Sequence, residues 1–505
     1  MNFLKTTLVV SFCTLLSRVF GFIRDIFFAK YLGTGYFADV FLTAFKLPNC
    51  FRNILAEGAF NSAFIPLFSS ELAKSEKKDE VMNFSRNIFS LLIYVMLIIT
   101  ILAEIFMPKI VSILAPGFLN DVDKFRLTVL LSKITILYLI FISLTSFMSA
   151  VLNSYNKFAA VSVRSVILNI TLIFFSVLSS FINVNVAYLL SYGVVVGGIL
   201  QFLWILFFTL KNKIVLYPVF PKFDEITKKF FKNFLNGFLG YGIVQINSVV
   251  DTIMASGIVG AVSFIYFADR ISQLPLALIG IAISTIILPT LSKKITLQDK
   301  NTFEIQENSI FFALFLGLPC AIGLFLLSDV FIPILFQRGE FTSADSMAVV
   351  GCLRIYAFSL PVFIVIKILQ TIFYANKDTK IPMLSSLVNL ISNVILNLVF
   401  VRLLSYRGIV LSTVISSYFN FLILSTVLKV RKQIILSQMF YLKITKLIYP
   451  LLFMVLSIIL LKRCFMTHQF VGFIVTSTIS GIIYLGMSLW LKIVDINMLI
   501  KREKQ

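Results

Sequence analysis

The sequence predicts an all-α, polytopic membrane protein with 14 transmembrane helices, arranged as two six-helix lobes plus two C-terminal helices. Of its 505 residues, 59% are hydrophobic and only 13% are charged, and the mean hydropathy is +0.98. All three values lie far from those of soluble domains. A window of about 19 residues, the length that crosses the hydrocarbon core as a helix, finds 14 apolar stretches. Helices are expected because backbone polar groups in lipid must be satisfied within the segment.

The predicted spans follow one another with short connections. They lie near residues 4–31, 36–68, 84–107, 127–153, 158–182, 185–210, 232–254, 259–290, 308–329, 346–374, 380–401, 408–428, 445–462 and 469–491. The second and eighth spans are longer than a straight crossing needs, and Pro48 and Pro275 predict bends in them. The first span runs through Arg18 and Arg24 to Tyr31 without a small-residue cleavage site, so we interpret it as a retained helix and not a signal peptide.

The distribution of basic residues predicts the orientation. The even-numbered loops, both termini and the adjoining span ends hold 26 Lys and Arg, whereas the odd-numbered loops hold 8. By the positive-inside rule, both termini should be cytoplasmic. The net charge of +21 is therefore mostly a topology signal, and it does not indicate nucleic-acid binding. The same bases should attract anionic lipid headgroups.

A weak internal repeat predicts the domain organisation. Asn156-Lys157 through Asn169 resembles Asn376-Lys377 through Asn389, and Phe37-Ala38-Asp39 recurs as Phe267-Ala268-Asp269. Six spans separate the copies, so the halves share one orientation and are parallel repeats. We expect an N-lobe at 1–210 (spans 1–6), a C-lobe at 211–430 (spans 7–12), and spans 13 and 14 with a cytoplasmic tail at 431–505.

The residues that usually mark catalytic or metal sites give no such signal here. The five cysteines are scattered and form no CxxC, so we expect neither a disulfide framework nor a metal site. The single histidine, His468, lies near a loop and is not expected to be catalytic. In the longest hydrophilic stretch, 211–232, the charged residues are mostly Lys, and it lacks the acidic cluster that a membrane glycosyltransferase or ligase normally needs. An enzyme is therefore not expected.

Basic side chains inside the spans carry the functional prediction. They are Arg18, Arg24, Lys30, Lys46, Arg52 and Arg270. A cation at bilayer depth costs about 2.5–3.5 kcal/mol on insertion scales, so it persists beside a partner, an aqueous cavity or an anionic ligand. The pairs Arg18 with Asp25, Asp39 with Lys46 and Arg52 with Glu57 could be internal salt bridges that hold helices together. The set as a whole exceeds the nearby acids, which indicates a pathway for an anion, and arginine suits phosphate oxygens.

Several motifs resemble the MurJ (MviN) lipid II flippase family over nearly the whole chain. They are Ser17 to Asp25, Lys46 to Asn49, Arg52, Ala56-Glu57-Gly58-Ala59-Phe60, Phe64-Ile65-Pro66, Ala115-Pro116-Gly117-Phe118 and Ala268-Asp269-Arg270. The family belongs to the multidrug/oligosaccharidyl-lipid/polysaccharide exporter superfamily. The resemblance implies transport of undecaprenyl-pyrophosphate-linked disaccharide pentapeptide from the inner to the outer leaflet of the bacterial cytoplasmic membrane, by alternating access of two lobes.

The resemblance also implies roles for individual residues. Substrate-binding positions are Arg18, Arg24, Arg52 and Arg270; charge partners in the cavity are Asp25, Asp39, Lys46, Glu57 and Asp269. Asn53 departs from the family, whose members can carry a second base after the position of Arg52. The resemblance implies lipid II and membrane lipids as partners, a monomer, no nucleic acid, and a groove for the polyprenyl tail at spans 13 and 14.

The driving force is less evident from sequence. Asp251 in span 7, Asn393 and Asn397 in span 11 and Thr413 in span 12 could bind a monovalent cation, sodium or a proton. Asp251 could instead be a protonated or helix-pairing acid, and the asparagines could bond across a helix interface. Coupling to the membrane potential is a further alternative. No other cofactor is expected.

Two related transporters remain as alternatives. A multidrug exporter of the same superfamily would share the fold, but its cavity should favour carboxylates over arginines. A flippase for another polyprenyl-linked glycan would need the same basic residues. Four other bases within spans, Lys133, Arg164, Arg354 and Lys367, could snorkel or line the cytoplasmic mouth.

Overall fold

The computed structural model describes residues 3–55, 60–74, 78–182, 184–299, 301–465 and 469–494, and within these ranges all regular secondary structure is helical. The α-helices are α1 Phe3–Leu32, α2 Tyr36–Ile54, α3 Phe60–Lys74, α4 Lys78–Leu114, α5 Val122–Ile136, α6 Tyr138–Ser154, α7 Phe158–Leu178, α8 Val186–Lys211, α9 Glu225–Ala255, α10 Ala261–Pro275, α11 Ala282–Thr296, α12 Thr302–Phe336, α13 Ser343–Ala375, α14 Lys380–Leu404, α15 Tyr406–Val430, α16 Gln438–Lys446, α17 Ile448–Phe465 and α18 Gln469–Trp490. The predicted all-α fold is confirmed.

Among the described residues, 11 helical stretches are long and apolar enough to cross a membrane. They are Met82–Leu114, Val122–Ser154, Phe158–Leu178, Val186–Lys211, Ala261–Thr296, Thr302–Phe336, Ser343–Ala375, Lys380–Leu404, Tyr406–Val430, Gln438–Cys464 and Phe470–Trp490. The other three predicted spans correspond to α1, to α2 with α3, and to α9. These helices carry many of the charged residues singled out above, which lowers their hydropathy.

The two long spans depart from a single straight helix in different ways. Pro275 ends α10 and is followed by a π-helical segment, Leu276–Ile281, before α11 begins. The missing amide of proline and its ring clash explain this local change of hydrogen bonding, which confirms an interruption there. By contrast, α2 remains helical through Pro48 to Ile54. The helix is thus continuous at Pro48, and the bend predicted there stays a prediction.

The chain forms two compact units. The first comprises residues 1–263 with the short segment Arg338–Phe341, and the second comprises Phe264–Gln337 with 342–505. The helix α9 therefore packs within the first unit, although the repeat places its sequence at the start of the predicted C-lobe. The predicted lobes are defined by a sequence repeat, whereas the two units are defined by packing. The units therefore do not test the lobe boundaries, which stay a prediction.

Stacked phenylalanines form much of the core of the first unit. Phe60 and Phe64 of α3, Phe147 of α6 and Phe230 of α9 are almost completely buried. The ring centroids of Phe64 and Phe147 lie 5.0 Å apart, and those of Phe60 and Phe230 lie 6.5 Å apart. Aromatic pairs in this range add to the energy of area burial. This cluster attaches α9 to α3 and α6.

In the second unit, α13 is the central helix. Its buried face includes Ile364, Ile368 and Ile372. The C-terminal pair α17 and α18 is fixed by polar contacts: the Tyr484 hydroxyl donates to the Phe315 carbonyl at 2.7 Å, and the Ser457 hydroxyl donates to Ser480 Oγ at 2.8 Å. Hydroxyl bonds between helices are common where hydrophobic association contributes little.

Two helices at matching positions of the predicted repeat, α6 and α13, end in the same kind of turn. The amide of Lys157 after α6 donates to the Leu152 carbonyl at 3.0 Å, and the amide of Asp378 after α13 donates to the Phe373 carbonyl, also at 3.0 Å. Both turns contain one residue of positive φ, Asn156 in the first and Lys377 in the second. The same turn also ends α11 and α18, with positive φ at Gln298 and Lys492, so it is a common helix C-terminus and the repeat stays a prediction.

The tight connection between α14 and α15 generates a stability prediction. A Cβ on Gly408 would lie 2.0 Å from the Phe400 carbonyl oxygen, so G408A must push the two backbones apart. Overpacking of this kind costs about 1–3 kcal/mol, and we expect a lower Tm of the purified protein. At Gly481 of α18, an added Cβ meets no atom within 4 Å, so G481A is the matched control. Equal melting of the two variants would contradict the prediction.

Candidate functional site

The most completely buried charge in the first unit is Asp39 near the start of α2, whose exposed fraction is 0%. Its carboxylate accepts hydrogen bonds from the Gly260 amide at 2.8 Å, from the Ser263 amide at 3.1 Å and from the Ser263 hydroxyl at 3.0 Å. It also forms an ion pair with Lys124 Nζ of α5 at 3.1 Å. The predicted pairing of Asp39 with Lys46 is therefore wrong, because the partner comes from a neighbouring helix and not from the next turns of α2.

Lys124 was not anticipated from the sequence. It lies in the first turn of α5, after the N-cap residue Asp121. The predicted span begins only at residue 127, so the hydropathy window assigns Lys124 to a loop. In the structure it is buried and lies 4.3 Å from the centre of the Phe118 ring. A buried cation needs a compensating anion, and Asp39 supplies it. The carboxylate thus connects α2, α5 and the turn between α9 and α10.

Arg24 of α1 is also buried, with only 8% of its surface exposed. Its guanidinium forms an ion pair with the adjacent Asp25 at 2.7 Å and donates to Asn169 Oδ1 of α7 at 3.0 Å. It also lies 5.2 Å from the centre of the Phe28 ring. The ion pair described for Asp25 is thus with Arg24, so the predicted pairing with Arg18 is wrong.

Asn169 of α7 makes two hydrogen bonds to this part of α1. Besides accepting from Arg24, its amide nitrogen donates to the Ser17 carbonyl at 3.1 Å. A Cβ on Gly21 would lie 3.4 Å from the same nitrogen, so the glycine leaves just enough room for this side chain. Arg18, next to Ser17, is partly exposed. The role of Asn169 could not be predicted from the sequence, because a neutral amide in an apolar helix has many equivalent interpretations.

Arg52 near the end of α2 is held by neutral groups. Its guanidinium donates to Asn49 Oδ1 at 3.0 Å and to Asn53 Oδ1 at 2.7 Å. The Asn53 amide in turn donates to Gln245 of α9 at 3.1 Å. Asn53, which stands where family members can carry a second base, therefore orients Arg52 and does not add a second positive charge. Glu57, its predicted partner, lies outside the described residues.

Lys46, two turns before Arg52, also contacts α9. Its ammonium donates to the Ser248 hydroxyl at 2.7 Å. Lys30, in the last turn of α1, is exposed and lies 4.8 Å from the centre of the Tyr31 ring. In the first unit the predicted basic residues thus lie on two helices, α1 and α2. Lys46 contacts α9 directly, and Arg52 is connected to it through Asn53.

Asp269 and Arg270 lie on α10, in the second unit. Arg270 stacks over the Tyr266 ring at 4.9 Å, and Asp269 accepts a hydrogen bond from the Gln273 side chain one turn later. Both side chains are partly exposed and have further contacts. The i, i+4 contacts hold the acid and the base on separate faces of one helix.

The four candidate cation ligands are divided between the units. Asp251 is buried on α9 in the first unit. In the second unit, the Asn397 amide donates to Asn393 Oδ1 at 3.0 Å within α14, and the Thr413 hydroxyl donates to the Ile409 carbonyl at 3.2 Å within α15. Their joint role stays a prediction. Across the described ranges, no group of three or more His, Cys, Asp or Glu is arranged to hold a metal ion.

Two of the four other basic residues within spans, Arg164 and Arg354, have polar contacts in the structure. Arg164 donates to the Ser149 hydroxyl at 3.2 Å. Arg354 of α13 lies 3.6 Å from Asp329 of α12, and the same carboxylate binds Lys462 of α17 at 2.6 Å. Asp329 therefore bridges three helices of the second unit, a role that the sequence did not indicate. His468 lies outside the described residues.

Comparisons with known proteins give a consistent result. A family model described as "Lipid II flippase MurJ" matches residues 28–480. A Rhizobium tropici protein named "Probable lipid II flippase MurJ" is 38% identical over 425 residues, which cover 83% of this chain and 80% of the relative. A solved structure, "Lipid II flippase MurJ, inward closed conformation", aligns with a TM-score of 0.83 at 28% identity and covers 96% of this chain and 99% of that one.

A second solved structure is more distant. It is described as an inward-facing conformation of a multidrug resistance MATE family transporter of the MOP superfamily. The TM-score is 0.66 at 14% identity, with 84% of this chain and 99% of that chain covered. Identity this low establishes a shared fold and nothing about the transported molecule.

The buried pair of Asp39 and Lys124 can be tested by removing one charge. K124M leaves the carboxylate buried with neutral donors only, and breaking a buried pair costs about 3–5 kcal/mol. We expect a clear fall in Tm, and a smaller fall in the double variant D39N/K124M than the sum of the single effects. K109M, at an exposed lysine of α4, is the control. A K124M protein that melts like the unmodified chain would show that the pair contributes no stability.

Proposed function

Because the chain belongs to the lipid II flippase MurJ family, we propose that it moves a polyprenyl-pyrophosphate-linked peptidoglycan precursor from the inner to the outer leaflet of the bacterial cytoplasmic membrane. The observation that carries the proposal is the family match over residues 28–480, which includes Arg52 and Arg270 and begins just after Arg18 and Arg24. The protein is a multi-span membrane transporter and not an enzyme.

The state of the carboxylates supports an anionic substrate over a cationic drug. A cation exporter needs acids that are available to its substrate. In this chain Asp39 is fully buried and bound by Lys124 and three neutral donors, and Asp25 is bound by Arg24. The similarity to the MATE transporter is therefore one of fold. At these two positions the carboxylates are already bound, so they do not offer a site for a cationic drug.

We further propose that the four arginines have unequal roles. Among the described residues, Arg52 is bound by two neutral amide oxygens, and a phosphate oxygen can displace these weaker acceptors. Arg24 is already paired with Asp25, so it acts mainly by positioning α1 against α7. Arg18 and Arg270 are partly exposed and complete the set of pyrophosphate ligands.

Transport requires that the binding groups face the two membrane surfaces in turn. We propose alternating access of the two predicted lobes about the arginines, since a permanently open basic site would bind the headgroup without releasing it. The membrane also supplies the remaining partners: lipids surround the protein, and spans 13 and 14 are proposed to hold the polyprenyl tail. The transporter is proposed to act as a monomer, with both termini in the cytoplasm, which a reporter fused after Gln505 would test.

The arginine roles predict a graded loss of transport. R18A, R52A and R270A should each insert normally and lower affinity for the lipid-linked precursor by about 10- to 100-fold, the worth of one charge-assisted contact. Lys should restore little, because its ammonium is a point charge and not a planar fork. R24A should also lower Tm.

The measurement is growth of cells depleted of their own lipid II flippase, combined with binding of the purified variants to precursor. R126A, at an exposed arginine of α5, is the matched control and should complement fully. Growth supported by all of the cavity variants would contradict the anion-binding proposal. Failure of the unmodified chain to complement would instead favour another polyprenyl-linked glycan as substrate.

For energy coupling we propose that Asp251, with Asn393, Asn397 and Thr413, responds to sodium or protons. A carboxylate in a span is disfavoured in its charged form unless a cation or donors compensate. D251N should therefore weaken the dependence of flipping on sodium, pH or membrane potential more than it weakens substrate binding. D123N, at an exposed acid of α5, serves as the control. Unchanged ion dependence in D251N would assign Asp251 to helix packing.

A further inference from the structure

The linker between α8 and α9, residues 212–224, is ordered along α4 although it contains no helix. The Val219 amide donates to the Ser90 hydroxyl at 2.7 Å, and the Lys222 amide donates to Asn87 Oδ1 at 2.6 Å. The Asn87 amide also donates back to the Lys222 carbonyl. Side chains of one helix thus satisfy the backbone of an extended segment, which fixes its path.

A third attachment lies closer to α8. Arg86 donates to the Val215 carbonyl at 3.1 Å, and its guanidinium stacks over the Tyr217 ring at 4.2 Å. Arg86, Asn87 and Ser90 all belong to the stretch Met82–Leu114, which is long and apolar enough to span a membrane. The linker therefore runs at the depth of the first turns of a spanning helix, that is, at the membrane interface.

Several exposed side chains of the linker are apolar. Phe220 is 88% exposed, and Phe223, Tyr217 and Val215 are exposed as well. Apolar residues in this position are unusual on a surface that faces water alone. Aromatic rings at membrane–water interfaces are common, because they place an apolar body at the level of the headgroups.

The charge around these rings has one dominant sign. Between residues 211 and 232 there are six lysines and only two acids. All six lysines are exposed, and they are Lys211, Lys213, Lys222, Lys228, Lys229 and Lys232. Clusters of four to eight bases beside a spanning helix bind anionic lipid headgroups, and apolar side chains between them add insertion energy.

The second unit uses the same arrangement after α15. Glu307 of α12 accepts hydrogen bonds from the Ser437 amide at 2.7 Å and from the Ser437 hydroxyl at 2.8 Å, which fixes the start of α16. Glu307 is 220 residues after Asn87, so equivalent positions of the repeat hold both linkers. Ile435, Met439 and Tyr441 are exposed there. Recurrence in both halves argues against an accidental surface feature.

We propose that the linker 212–224 is a docking surface for the anionic phospholipid headgroups of the membrane in which the chain resides. The lysines bind headgroup phosphates, while Phe220 and Phe223 insert at the boundary between headgroups and acyl chains. This contact fixes the height of α4 and α8 in the bilayer. It is separate from transport of the precursor, and the lysines involved are not among the substrate-binding residues.

The test uses an environment-sensitive fluorophore on F220C in a chain whose five native cysteines have been replaced. The labelled protein is reconstituted into vesicles of phosphatidylcholine alone or mixed with phosphatidylglycerol, both containing a shallow spin-labelled lipid as quencher. In the anionic vesicles we expect about twofold or more additional quenching, and a loss of this gain at 1 M salt, where the Debye length is about 3 Å.

Two comparisons make the result specific. Phe181, on the α7–α8 connection, is 81% exposed but lies in a segment, 179–185, without any charged residue, so a label on F181C should not respond to phosphatidylglycerol. Changing Lys213, Lys222, Lys228 and Lys229 to Gln should abolish the gain at F220C. Equal quenching in both vesicle types would overturn the proposal. So would full access of the F220C label to aqueous iodide, as expected if the surface instead binds a protein.

Discussion

A charge inside a spanning helix must find a partner, and this requirement determines how the first unit is assembled. The Asp39 carboxylate has no contact with solvent, so each of its oxygens depends on donors from other segments. Those donors come from α5 and from the turn between α9 and α10. Arg24 similarly needs Asp25 and Asn169, which brings α7 against α1. Because an unpaired charge is so costly at this depth, each pair fixes the position of a helix as well as its own geometry.

The fold could be predicted from the sequence because hydropathy and helix length are properties of one segment at a time. The apolar windows located the helices to within a few residues, and Pro275 located the π-helical break. The partners of the charged residues could not be predicted in this way. Lys124 had been assigned to a loop, and spacing along α2 favoured Lys46 for Asp39, whereas the true choice depends on which helices become neighbours.

The structural roles of several neutral and apolar residues could also not be predicted from the sequence. Asn169 and Asn53 are chemically unremarkable in isolation, yet they decide how Arg24 and Arg52 are oriented. The phenylalanines of α3, α6 and α9 form the core that places α9 in the first unit, and their spacing in the sequence does not indicate this packing. Such roles arise from packing, and a single sequence holds no direct signal for packing between distant segments.

The composition of the first unit also has a consequence for biogenesis. All of its helices are encoded before residue 264, and only the segment Arg338–Phe341 is added later, where the Glu340 amide donates to the Lys30 carbonyl at 2.9 Å. Domains generally fold in the order of their synthesis. The phenylalanine core, the Asp39 pair and the ordered linker can thus all form while the ribosome is still translating the second half. The first unit is then already folded in the membrane while the second half is being synthesised. Its last backbone contact is made only once α12 has been inserted.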